Sequence, residues 1–129
     1  METEKDGIQA YYASDREDWR NWFFENHAKS VSVWLIIYKK DSGIPSLSYD
    51  EAVEEALCFG WIDSIANKRD DKSFYLFFAK RKSKSNWSAL NKNRVEKLLA
   101  AGKMHPSGQL MIDLAIKTGT WDALTQIGY

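Results

Sequence analysis

Much of what a functional reading leans on is scarce in this chain. Its 129 residues include one cysteine, Cys58, and two histidines, His27 and His105. A lone thiol excludes an intramolecular disulfide and any multi-cysteine metal site. Neither histidine lies in an H-E-x-x-H or H-x-x-E-H spacing, so no metal is expected. A glycine-rich phosphate loop, a G-x-S-x-G elbow and a dinucleotide fingerprint are also missing, and no cofactor is expected. Net charge is missing as well: eighteen basic residues balance eighteen acidic ones, which removes any global signal for nucleic acid. No apolar run approaches the roughly 20 residues that span a bilayer. The opening METEKDG lacks the apolar stretch of a signal peptide. The expectation is a cytoplasmic protein without membrane insertion.

Aromatic residues, by contrast, are plentiful. They make up 14% of the chain, with six tryptophans, in a composition that is 44% hydrophobic and 28% charged. That fits one soluble globular domain, residues 1–129, with large rings to house in a core or a pocket. The patterning predicts an α+β fold: an antiparallel or mixed sheet of about four short strands, packed with helices, and a helical C-terminal portion.

Taken in order, residues 7–14 suit a short first strand. Ser14 or Asp15 then caps a helix to about His27, with Trp19, Trp22, Phe23 and Asn26 as a stripe. Residues 31–39, VSVWLIIYK, alternate two apolar faces (Val31, Val33, Leu35, Ile37 against Trp34, Ile36, Tyr38), the mark of an interior strand. Gly43 and Pro45 make residues 40–47 a loop. Ser48 and Glu51 form a capping box for a helix with Ala52, Val53, Ala56 and Leu57 inward and Glu51, Glu54 and Glu55 outward. Gly60 ends it. Strands over 61–67 and 73–80 follow, joined by the polar turn 68–72. A helix capped by Ser85 or Ser88 presents Trp87, Leu90, Asn91, Arg94, Val95, Leu98 and Leu99 on one side and ends at Gly102. A last helix begins near Ser107, shows Leu110, Met111, Leu114 and Ala115 at helical spacing, and stops at Gly119. Trp121 and Leu124 are expected to fold the tail back.

The run SLSYDEAVEEALCFGWIDS, then KRDD, then RKSKSNWSALN and RVEKLLAAGKMHPSG, resembles the YdeI/OmpD-associated family of bacterial proteins, often labelled bacteriocin-protection proteins. The resemblance runs from Trp19 through Trp121. It implies a role in stress or antimicrobial resistance and brings no accepted substrate or catalytic set. Where the family pattern usually has a proline before the arginine after the second hairpin strand, this chain has Ala79-Lys80-Arg81.

Three constellations could carry chemistry. Cys58 is either a nucleophile with His27 or His105 as base, or an inert buried thiol at the wrong helix end for activation. Asp63 lies in an apolar strand beside Trp61 and Ile65. It is either tied internally to Lys68, Arg81 or Arg94, or is a pocket carboxylate able to move protons. Arg81, Ser85, Trp87, Ser88, Asn91 and Arg94 place cations and an aromatic at a helix start, which suits an anion as well as it suits ordinary capping. The leading expectation is a binding protein that holds a small anionic or amphipathic ligand between Trp61, Trp87 and the Arg81/Arg94 pair, with Asp63 orienting an arginine. The alternatives are an enzyme using Asp63 as general acid/base and a module that binds a protein partner through exposed aromatics.

Overall fold

The computed structural model describes residues 2–83 and 85–122; Leu124, expected to anchor the tail, lies outside them. The elements run β1 (Glu4–Lys5), β2 (Ile8–Tyr12), α1 (Arg16–Asn26), β3 (Ser32–Tyr38), α2 (Tyr49–Cys58), β4 (Trp61–Lys68), β5 (Ser73–Lys80), α3 (Ala89–Ala100) and α4 (Pro106–Thr118). The fold is α+β with a helical C-terminal portion. The chain divides into two compact units, Met1–Ala56 with Ile62–Lys80, and Leu57–Trp61 with Arg81–Tyr129.

The first unit carries a five-stranded mixed sheet in the order β1-β2-β3-β5-β4. β3 runs parallel to β2 and antiparallel to β5, so both its edges are paired. All five side chains from Val33 to Ile37 are buried, as the two apolar faces of that segment require. β1 is a strand beyond the four that the patterning predicts. It pairs with β2 through the Asp6-Gly7 turn, where φ is 53° and 79°. Positive φ at both central residues is the type I′ hairpin, and Asp-Gly is its favoured pair. That dipeptide was the available signal.

On one face of the sheet, α1 lays down Trp19, Trp22 and Phe23. Asp15 caps this helix by accepting from the Asp18 N–H, and His27 closes it. Trp19 packs edge-on against Phe78 at 5.3 Å, and its indole N–H donates to the Ala52 carbonyl at 3.0 Å. The capping box of α2 forms as expected: the Ser48 N–H donates to Glu51 and the Glu51 N–H to the Ser48 hydroxyl.

One expectation on α2 is overturned. Glu55 does not face solvent; it is 2% exposed. Its oxygens take Arg16 Nη2 at 2.6 Å and Arg20 Nη1 at 3.0 Å, while Arg16 also reaches Glu54 at 3.1 Å. A carboxylate can be buried this way because two cations replace its water. The link joins α1 to α2 across more than thirty residues of sequence, beyond the reach of helical periodicity.

In the second unit, Ser88 caps α3 by accepting from the Asn91 N–H. The buried residues of α3 are Val95 and Leu98, whereas Leu90 and Leu99 are exposed, so the inward stripe is narrower than expected. α4 begins at Pro106 with the His105 ring accepting from the Ser107 N–H. Its buried face is Gly108, Ile112 and Ala115, with Leu110 exposed. Gly108 explains the rotation. A Cβ at this position would stand 2.2 Å from the Cys58 carbonyl oxygen, so the helix turns its smallest residue toward that backbone.

Glu55→Ala is expected to cost about 3 kcal/mol, because it leaves two half-buried arginines without their shared anion. A solvent-facing glutamate would cost less than about 0.5 kcal/mol. Urea unfolding of the two proteins separates these outcomes.

Candidate functional site

The anion-binding cluster expected around Arg81 is assembled in the second unit, but its groups are turned on one another. Arg81 is 8% exposed and lies 3.8 Å over the Trp87 ring. Its Nη2 donates to the Asn86 carbonyl at 2.8 Å. Trp87 in turn packs on Trp121 at 5.1 Å, and Trp61 and Trp87 are 1% and 2% exposed. The Ser85 hydroxyl donates to the Lys82 carbonyl, Ser88 is spent as the α3 cap, and Arg94 donates to the Asn91 amide oxygen at 2.9 Å. Rings this deeply buried offer a ligand no surface, so the arrangement is one of packing and support.

Asp63 belongs to the first unit, where it is half-buried and accepts a hydrogen bond from the Tyr49 hydroxyl at the surface. Tyr49 takes the place expected of Lys68, Arg81 or Arg94, and Lys68 pairs with Asp71 at 3.5 Å. The apolar surroundings expected from Ile65 are not there, since Ile65 is 58% exposed. Cys58 is buried at the C-terminal end of α2, where the helix dipole disfavours a thiolate. The His105 main-chain N–H donates to the Cys58 carbonyl at 3.0 Å. The His105 ring stacks on Phe59 at 4.7 Å, and its Nδ1 is held by Ser107. Among the described residues no group of three or more metal-ligating side chains forms, and no helix is long and apolar enough to cross a membrane.

A different set of residues converges on the sheet of the first unit, on the face away from α1. The register sets Trp34 beside Ala10 and Phe77, Ile36 beside Tyr12 and Tyr75, and Tyr38 beside Ser73. Directly opposed residues share a face, so five rings line this one. Trp34 lies 4.8 Å from Phe77 and 5.9 Å from Tyr75, and Tyr12 meets Tyr38 edge-on at 5.4 Å. Tyr12, Tyr38, Tyr75 and Phe77 are only half-buried. Two cations stand over the rings: Lys5 Nζ is 5.0 Å from the Trp34 centroid and 4.9 Å from that of Tyr75, and the Arg69 guanidinium is 5.7 Å from Tyr38.

Two details mark this face as more than core. Trp34 is 7% exposed, yet its buried indole N–H has no hydrogen-bond partner among the described residues. Glu2 reaches in over the rings, accepting from Arg69 Nε at 2.6 Å and from the Tyr75 hydroxyl at 2.7 Å. The Tyr75 hydrogen bond and then Arg69 hold the Glu2 carboxyl below the usual range. Burial, followed by the same hydrogen bond, pushes the Tyr75 phenol up.

A family model described as Domain of unknown function (DUF8412) matches residues 11–111. The chain belongs to that family, and the match carries no link to the YdeI/OmpD-associated proteins. No curated protein and no solved structure matches the chain. The matched span includes every ring of the sheet face, along with Arg69.

Arg81→Ala is expected to lower stability by about 2–4 kcal/mol, through a lost desolvated cation–π contact and a charged hydrogen bond; a ligand-only role would leave the melting temperature unchanged. Acidification tests the Glu2 contact. Because its folded pKa is depressed, the contact is complete at neutral pH and is lost as the pH falls below the normal glutamate range. The Arg69 side-chain N–H resonance should report its release.

Proposed function

We propose that this protein is a small binding domain that holds an anionic or amphipathic ligand on the aromatic face of its sheet. The observation that carries this reading is the Trp34 indole N–H, buried beside four other rings and without an acceptor among the described residues. An unsatisfied buried donor costs about 1–3 kcal/mol, and native structures keep few of them. A ligand acceptor would answer that donor. The flat parts of the ligand would lie on Tyr12, Tyr38, Tyr75 and Phe77, which bring large apolar area with little loss of side-chain freedom. Lys5 and Arg69 would supply the positive charge.

This reading keeps the aromatic and cationic chemistry expected of the site and moves it from Arg81 and Trp87 to Arg69 and Trp34. It also accommodates the resistance role that the YdeI/OmpD resemblance implies, because capture of an amphipathic compound lowers its free concentration. The enzyme alternative loses support at Asp63, whose hydrogen bond is to Tyr49 at the surface.

A thermal-shift screen against aromatic and aliphatic acids, nucleotides, short oligonucleotides and cationic peptides tests the proposal. A ligand at a hundred times its dissociation constant stabilises by about 2.7 kcal/mol, roughly 10 °C for a chain of this size. Trp34→Phe keeps the aromatic ring and removes the N–H. It should weaken the hit at least about tenfold, the worth of one hydrogen bond to a buried donor, both dissociation constants being measured on protein that is folded at the assay temperature. A flat screen, or a hit indifferent to Trp34→Phe, refutes the site.

A further inference from the structure

We infer that the ligand of the aromatic face is a carboxylate and that Glu2 occupies the seat its carboxylate would take; the inference rests on the binding reading above. The seat exists independently of Glu2. Arg69 Nη1 is held by the Ser73 hydroxyl at 3.0 Å, the Tyr38 hydroxyl at 3.3 Å and Asp70 Oδ2 at 3.3 Å. Ser73, 1% exposed, is itself fixed by donating to Asp70 Oδ1 at 2.8 Å. Tyr75 is set by its place on β5 opposite Ile36. With Arg69 anchored through Nη1, its Nε faces inward beside the Tyr75 hydroxyl. These two donors now grip the two oxygens of one carboxylate, Oε1 and Oε2 of Glu2.

The donor set argues for a carboxylate over a phosphate. Two donors match two oxygens, and a phosphate would leave its remaining oxygens unanswered. Asp70, 3.3 Å from Arg69, offsets part of the cation's charge, which suits a monoanion and penalises a dianion. Lys5 stands over Trp34 and Tyr75 on the same face, so the apolar body of such a ligand has rings and the Trp34 donor directly beside its anionic end.

Glu2 comes from outside the strands and turn that build the seat. Its side chain is 33% exposed, and it reaches Arg69 from a segment 67 residues away in sequence. It lies outside the span matched by the family model, whereas Arg69 and Tyr75 lie within it. Glu2 therefore acts as an intramolecular competitor that an incoming carboxylate displaces, and the apparent affinity is reduced by the fraction of molecules with the seat open.

The test titrates the full chain with 2-naphthoate, octanoate, naphthyl phosphate and 2-naphthol, following tryptophan fluorescence and heat of binding. Glu2→Ala and Glu2→Gln should each tighten naphthoate and octanoate about tenfold if the seat is open about a tenth of the time. Adding Tyr75→Phe to Glu2→Ala should remove that gain, and neither Glu2 variant should change binding of the uncharged naphthol. Naphthoate binding that depends on Trp34 but ignores Glu2 overturns this inference and leaves the binding reading standing. Tighter binding of the phosphate than of the naphthoate overturns the carboxylate assignment. Failure of all four probes on every variant refutes the seat together with the binding reading on which it rests.

Discussion

Strand β3 has both edges paired and five consecutive side chains buried, so each side of the sheet has to find its own cover. On one side the cover is a helix. Trp19, Trp22 and Phe23 of α1 lie over the strand face that includes Phe78, and the Trp19 indole ties that layer to α2. On the other side the sheet is covered by its own rings, with Lys5, Arg69 and Glu2 reaching across them. The two solutions differ in kind. A helix satisfies its own backbone and seals the surface, whereas half-buried tyrosines leave ring edges open to whatever approaches.

The same contrast separates the two arginine clusters. Arg81 is sandwiched against Trp87 and bonded to a main-chain carbonyl, and its ring neighbours are closed to solvent. Arg69 stands at the edge of an aromatic face and grips a carboxylate brought in from a distant segment. Both pairings of cation and aromatic look alike in a sequence. What distinguishes them is whether the neighbouring rings have other neighbours of their own.

Glu55 illustrates a related economy. Two arginines from α1 converge on it, which fixes the azimuth of α1 relative to α2 within the first unit and so the angle at which Trp19 meets the sheet. Gly108 does similar work in the second unit by admitting the Cys58 carbonyl to within a distance no side chain allows. Both are single residues whose burial sets which stripe of a helix is hidden, and both override the stripe that hydrophobicity alone suggests.

Local physics was legible in the sequence. Alternation placed β3, the polar turn 68–72 placed β4 and β5 on either side of it, the Ser48–Glu51 pair placed the start of α2, and Gly102 and Gly119 marked helix ends. These features depend on groups within a few residues of each other, where backbone geometry leaves few options. The site was legible only in part: Trp34 could be assigned to the second face of β3, and Asp6-Gly7 carried an unread hairpin that brings Lys5 over it. The meeting of Glu2 with Arg69 and Tyr75, of Arg16 and Arg20 with Glu55, and the closing of Arg81 onto Trp87 were decided by tertiary structure. The first two set a charge against groups that only chain closure brings near, and a charge is worth far more in such a place than in water. The sequence by itself determined which segments are strands and helices and that rings would dominate; only the folded chain determined which rings stayed open.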